Sequence, residues 1–361
     1  MRQRLALELH RALCRDLRRD HPLKVLFWEC TLRCNMHCLH CGSDCKQAPA
    51  SPDMPAADFL KVIAQVAPYF PEGTPKPEIV FTGGEALMRS DLEAVGLLLN
   101  QAGFAWGLVT NGLLLTAERY QSLKNSGMGA LTLSLDGFEA AHNWLRGVPQ
   151  AYAGACRALD VLLADASGEV NWDVVTCVHA RNLDTLPAFK TWLLEKGVRQ
   201  WRLFTVFPSG RAAGNPELSL SSAQWRTLMD FIAQTRQEQA RHQHNLAVSY
   251  GCEGFLGAYE GRVRDSLFCC QAGLTIGSVL IDGSISACPS IRADFHQGSI
   301  YKDNFMDVWQ NRFEAYRDRG WTRAVEPCAS CKQWRFCQGN GMHLWDDAQH
   351  LKFCHYKRLF R

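Results

Sequence analysis

Over the first 205 residues short apolar runs alternate with stretches whose apolar residues recur at helical spacing, and this rhythm restricts the fold more than any other feature of the chain. Lys24–Trp28, Glu78–Thr82, Ala105–Thr110, Ala130–Leu135, Asn171–Val178 and Gln200–Thr205 read as strands. Pro55–Ala67, Leu92–Gln101, Ala117–Asn125, Ala151–Ala164 and Leu183–Glu195 read as the helices between them. Six strand–helix units predict an α/β fold: a parallel sheet with right-handed crossovers, as an open sheet or a partial barrel. Such sheets bind ligands at the C-terminal ends of their strands. Polar or glycine-rich segments follow the strands here: a cysteine loop, Gly83-Gly84-Glu85, Thr110-Asn111-Gly112 and Asp136-Gly137.

After Phe207-Pro208-Ser209-Gly210-Arg211 the texture changes. A long helix, Ser221–Arg241, leads into a region without strand–helix alternation. There Thr275–Ile281 and Ser284–Cys288 flank Asp282-Gly283, a hairpin signal. A helix over Asn304–Asp318 and a cysteine-dense tail follow. The expected organisation is an N-terminal helix (1–22), the strand–helix domain (23–215), a linker helix region (216–250) and a smaller α+β domain (251–361).

Thirty-nine basic and 36 acidic side chains nearly balance, so the chain lacks the basic stripe of a nucleic-acid binder. Residues 1–22 have no apolar core and are no signal peptide. The uncharged stretch inside Glu93–Glu118 is broken by Asn100, Gln101, Gly103, Asn111 and Gly112, so helix–strand packing explains it better than a membrane span. Cytoplasmic placement is expected. Sixteen cysteines in such a chain then read as metal ligands, reactive groups or core filler.

Cys34, Cys38 and Cys41 form C-x3-C-x2-C in the loop after the first strand. Three thiolates so close suit a [4Fe–4S] cluster with one iron left open. A structural zinc is the alternative, with His37, His40, Cys30 or Cys45 as fourth ligand.

This spacing resembles the signature of radical S-adenosylmethionine (SAM) enzymes, with His40 at the usually aromatic position. The resemblance implies that the open iron chelates SAM, and that reductive cleavage yields methionine and a 5′-deoxyadenosyl radical that abstracts hydrogen from substrate. It extends to Gly83, Gly84 and Glu85, matching a motif that approaches the SAM ammonium group. Ser134 and Asp136 correspond to positions that bind its carboxylate and ribose. Arg146 corresponds to an arginine on that carboxylate, and Asn111 and Asn182 to looser positions nearby.

A second set, Cys270-x12-Gly283-x4-Cys288, then Cys328-x2-Cys331-x5-Cys337 and Cys354, resembles the SPASM extension of radical SAM enzymes that modify peptides and proteins. The resemblance implies two auxiliary [4Fe–4S] clusters. Cys328, Cys331, Cys337 and Cys354 would bind the second. The first has Cys270 and Cys288 and lacks one expected cysteine, because Gly341 stands there; Cys252, preferred over Cys269, would be its third ligand. An alternative is one cluster held by Cys270, Cys288, Cys328 and Cys331. Pro289 after Cys288 removes the aspartate used in formylglycine formation. Cys14, Cys30, Cys45, Cys156 and Cys177 read as small buried hydrophobes, and Trp106, Trp172, Trp201 and Trp225 as core.

The expected function is hydrogen abstraction from a residue of a peptide or protein, giving a crosslink, an epimer or an oxidised side chain. The alternative is a dehydrogenase or cofactor-biosynthesis enzyme acting on a small molecule. An electron donor such as flavodoxin or ferredoxin is implied. No leader-binding domain is expected before Cys34, so the C-terminal half, the 208–260 segment or a separate leader-binding protein would recognise a peptide.

Overall fold

Each of the six apolar runs becomes a strand of one sheet in the computed structural model, which describes residues 2–46, 52–251, 253–291, 295–346 and 348–360. The strands are β1 (Val25–Thr31), β2 (Glu78–Gly83), β3 (Trp106–Thr110), β4 (Met128–Ser134), β5 (Asn171–Val178), β6 (Gln200–Thr205), β7 (Ala247–Tyr250), β8 (Ile276–Val279), β9 (Ser284–Ser286) and β10 (Gly298–Ser299). Their order is β10-β9-β8-β1-β2-β3-β4-β5-β6-β7. All pairs from β1 to β7 are parallel. The helices are α1 (Arg2–Asp20), α2 (Ala56–Val66), α3 (Leu92–Gln101), α4 (Ala117–Asn125), α5 (Glu139–Arg146), α6 (Ala151–Ala164), α7 (Leu186–Lys196) and α8 (Ser222–Ala240), followed by short helices in the cysteine-rich region.

The pleat sorts the strand residues by face. Leu26, Trp28, Ile79, Phe81, Trp106 and Leu131 are buried in the main core, where Trp28 stacks on Phe59 of α2 with ring centroids 4.4 Å apart. Phe27, Val80, Val109, Thr132, Asp173 and Arg202 line a cavity on the inner face. Trp106, Trp201 and Trp225 are buried as expected, while Trp172 is only partly so. The uncharged stretch within 93–118 is α3, β3 and the start of α4. Among the described residues no helix is long and apolar enough to cross a membrane.

Three sequence readings need correction. The region after the long helix is not free of alternation: α8, started by a capping box between Ser221 and Gln224, is the crossover to β7, a seventh parallel strand. The four residues Ala247–Tyr250 are too few to show a period. The helix expected over 304–318 is two pieces, Phe305–Asn311 and Glu314–Arg317. It breaks at Arg312, which leaves helical geometry (φ −116°) as its guanidinium pairs with Asp303 at 2.8 Å. The helix expected from Leu183 opens with a 3-10 turn, and Pro187, which has no N–H to donate, takes the first turn of α7. The hairpin is β8–β9, with Gly283 at φ +81° and the Ser284 N–H on Asp282. It is not a separate sheet, because β8 pairs in parallel with β1.

Gly96 on α3 lets that helix lie against Trp106, since a Cβ there would stand 2.3 Å from the indole. Gly96→Ala gains about 1 kcal/mol of helix propensity and meets overpacking that costs about 1–3 kcal/mol. We expect net destabilisation, read as a lower urea midpoint with unchanged m-value.

Candidate active site

The cysteine loop leaves the C-terminal end of β1 and is fastened on three sides. The Cys34 N–H donates to the Lys46 carbonyl at 2.8 Å, closing the loop on itself. The last carbonyls of α5 accept from it: His37 to Arg146 at 3.1 Å and Leu39 to Leu145 at 2.8 Å. Arg211, from the segment after β6, donates to the carbonyls of Cys38 and Cys45, each at 2.8 Å. Gly83 and Gly84 bring the end of β2 against the loop. A Cβ at either would stand 2.1 Å from a carbonyl oxygen, that of Thr31 or Arg33, and Gly83 has φ +127°.

The result is a cavity of about 160 Å³ lined by Cys34, Cys38 and Cys41 on one side and Glu85, Ser134 and Arg146 on others. His40, Gly83, Gly84 and Asn111 also line it, so ten of the sequence-selected residues share one wall. Glu85 is 1% exposed, and burial raises its pKa. Its carboxylate accepts from Thr110 Oγ1 at 2.7 Å, the Asn111 N–H at 2.7 Å and the Leu87 N–H at 3.2 Å. Asn111 Nδ2 donates to Asn35 in the cysteine loop at 2.7 Å. Burial drives the His40 pKa down to about 3, leaving a neutral ring whose Nδ1 has no partner among the described residues.

Asp136 lies behind this wall. It is fully buried and accepts from Arg146 Nε at 2.6 Å and from the Cys177 N–H at 2.8 Å. Burial alone would raise its pKa; the adjacent guanidinium overrides this and holds the carboxyl well below its usual range. Arg146, thus oriented, brings Nη1 to 3.9 Å from Cys38 Sγ. Asn182 is also withdrawn: its amide donates to the carbonyls of Asp136 and Cys177, supporting the turn after β4.

The sequence did not single out Arg211 or Thr110 as site residues and offered Cys45 only as a possible fourth zinc ligand, yet all three line the cavity. Cys45, four residues beyond Cys41, hydrogen-bonds Cys41 and so lowers its pKa. Its closeness to the triad was the available signal. Cys30, by contrast, is fully buried, donates to the Thr82 carbonyl at 3.3 Å and has its pKa pushed up to about 12, so it is inert.

In the C-terminal region Cys328, Cys331, Cys337 and Cys354 line one small cavity with Trp334 and Leu351. Cys270 lies outside it and accepts from the Met342 N–H at 3.4 Å, next to Gly341. Cys269 turns to Cys14 of α1. Cys252 falls outside the described residues.

The donor chemistry fits iron–sulfur clusters. The three thiols of the motif, with Cys45 beside them, line one cavity next to a guanidinium, and four thiols line another. Among the described residues no three Cys, His, Asp or Glu side chains converge as the ligands of a single ion do, so the thiols surround a volume and not a point. Burial, reinforced by the neighbouring thiols, pushes Cys34 up to about 12 and Cys328 up to about 11. Metal coordination would deprotonate such thiols.

Asp136→Asn strips a buried guanidinium of its partner and is expected to cost about 3–5 kcal/mol. Protonation acts the same way. Because the folded pKa of Asp136 is depressed, its contribution is present above its unfolded value near pH 3.9 and is lost as pH falls through the folded pKa. Urea denaturation from pH 7 to pH 3 should therefore show a smaller acid loss for Asp136→Asn than for the wild type.

Comparison with known proteins agrees with this geometry. The Radical SAM superfamily pattern matches residues 28–193, and the SPASM iron–sulfur cluster-binding domain matches residues 269–332. The AdoMet-dependent heme synthase of Nitratidesulfovibrio vulgaris (strain Hildenborough) is 25% identical over 327 residues, 88% of this chain and 86% of that protein. The mycofactocin maturase of Mycolicibacterium smegmatis is 26% identical over 329 residues, covering 90% and 79%. The crystal structure of Streptococcus suis SuiB bound to S-adenosylmethionine shares the fold, with TM-score 0.67 and 16% identity over 89% of this chain and 73% of that one. The α/β partial barrel thus carries a radical SAM domain over residues 28–193, and the cysteine-rich extension a SPASM domain over residues 269–332.

Proposed function

We propose that the chain binds SAM in the cavity beside the cysteine loop and uses it to take a hydrogen atom from a bulky small molecule of the tetrapyrrole class, in the biosynthesis of a cofactor. Cys34, Cys38 and Cys41 would hold the SAM-binding cluster, which supplies reductive SAM cleavage when loaded. Glu85, Asn111, Ser134 and Arg146 would hold SAM itself. The Glu85 carboxylate suits the ammonium group. Nη2 of Arg146 suits the carboxylate, its Nε being committed to Asp136 and its Nη1 turned to Cys38. His40, neutral and partly buried, packs this wall without adding charge. Cys328, Cys331, Cys337 and Cys354 would hold an auxiliary cluster, and a flavodoxin or ferredoxin would deliver electrons.

Relatives acting on small molecules and on peptides align at nearly equal identity, so the observation that carries the substrate class is the inner face of the sheet. There a cavity of about 670 Å³ shares Val109 with the SAM cavity. Phe27, Val80 and Trp172 line it, and four of its five charged side chains are paired, Arg202 with Asp173 at 2.8 Å and Arg236 with Asp265 at 2.5 Å, while burial raises the pKa of the fifth, Glu78. A wide space that mixes apolar surface with mostly paired charge suits a large flat molecule. The peptide reading stands second, favoured by the maturase relative, and would need a separate leader-binding partner.

Replacing Cys34, Cys38 and Cys41 with Ala should abolish 5′-deoxyadenosine formation and leave the C-terminal iron in place; undiminished SAM cleavage would refute the assignment. Anaerobic incubation with SAM, reductant and either an iron porphyrin or candidate peptides, followed by mass spectrometry, separates the two readings. The small-molecule reading expects a mass change in the porphyrin. A changed peptide beside an untouched porphyrin would establish the other.

A further inference from the structure

Cys14, Cys269 and Cys270 line a third, narrow cavity between α1 and the cysteine-rich region. Cys14 and Cys269 are 5% and 8% exposed and hydrogen-bonded to each other. Cys14 Sγ also lies 3.3 Å from His10 Nε2. Although Cys269 and Cys270 are neighbours, the chain bends so that both reach the cavity.

Two guanidinium groups share its wall. Arg319 is 4% exposed; its guanidinium lies over the Trp321 ring, 5.6 Å from the centroid, and reaches the carbonyls of Asn340 at 3.3 Å and Gly339 at 3.5 Å and the Cys270 thiol, none of them a carboxylate. Its Nε has no partner, and neither has the buried Nε of Arg18. A buried cation without a counter-ion is costly, and neutral thiols do not provide one. Thiolates around iron do, because such a cluster is net anionic.

We propose that this cavity seats the first auxiliary cluster, and that Cys14 supplies from α1 a ligand that Gly341 cannot. This rests on the radical SAM and SPASM reading. Cys14, Cys269 and Cys270 are the ligands that line the cavity, and Cys288, which stands behind the wall residue Tyr316, completes the set. Arg18 and Arg319 balance its charge. The N-terminal helix is then a clamp over the cluster, and loss of iron frees it.

The test compares iron and acid-labile sulfide per chain in anaerobically reconstituted wild type, Cys14→Ser and Leu17→Ala. Leu17 packs in the same small cluster as Cys14 but offers no ligand. Cys14→Ser should lose about four irons and alter the electron paramagnetic resonance spectrum of the reduced protein. Leu17→Ala should keep both, and α1 should become protease-sensitive in Cys14→Ser and in chelator-treated wild type. Wild-type iron in Cys14→Ser would overturn the proposal, as would equal iron loss in Leu17→Ala or a Cys14–Cys269 disulfide in the alkylated anaerobic protein. A Cys328→Ala/Cys331→Ala variant separates the two levels. Iron loss there with none in Cys14→Ser rejects Cys14 alone, and no loss in either rejects the SPASM reading itself.

Discussion

The buried ion pair between Asp136 and Arg146 is the constraint on which the site depends. Its Nε–Oδ2 distance is 2.6 Å and both side chains are almost wholly out of water. Asp136 ends the turn after β4, and Arg146 ends α5, so the pair ties a helix to the sheet edge. The last carbonyls of that helix accept the His37 and Leu39 N–H groups, which places the middle of the cysteine loop. A buried pair adds little net stability compared with an apolar substitute, but it is highly directional. Here it aims Nη1 of a guanidinium at Cys38 and leaves Nη2 toward the cavity.

Glu85 performs the corresponding task from the opposite wall. Three hydrogen bonds from β3, the Asn111 N–H and the turn after β2 fix its carboxylate, which could not otherwise remain charged at 1% exposure. Asn111 extends the network to Asn35, so the cysteine loop and the third strand are joined through one side chain. The cavity is therefore organised before any ligand enters, which limits the entropy lost on binding.

Much of this was legible in the chain because period and punctuation agree. Strand spacing, glycine turns and thiol spacing each act within a few residues, and β5, β6, α3, α4 and α6 have the bounds their periodicity predicts. The unread parts depend on distant partners. Arg211 sits 173 residues from the Cys38 carbonyl it holds. Asp136 carries a side chain that suits SAM directly, and only the fold shows it committed to Arg146. Strand β7 and helix α5 are too short for a clear period, and the pairing of β8 with β1 joins elements some 250 residues apart.

That last pairing changes how the cysteine-rich region should be understood. A sheet that stops at β1 and β7 leaves two edges and a gap in the barrel wall. The β8–β9 hairpin covers the first edge. At the other, Glu253 accepts from the Thr205 N–H at 2.8 Å and from the Thr205 and Tyr250 hydroxyls, and stands 3.6 Å from His355. His343 packs on Phe207 with ring centroids 4.8 Å apart, and a Cβ at Gly42, beside Cys41, would touch that same phenyl ring at 3.8 Å. One residue before His343, the Met342 N–H reaches Cys270. The cysteine-rich region thus spans the gap, and a continuous line of packed groups runs from the cysteine loop to the auxiliary thiols. Thiol placement at one end is therefore mechanically coupled to strand placement at the other, which is what rigid positioning of several redox centres around one substrate cavity requires.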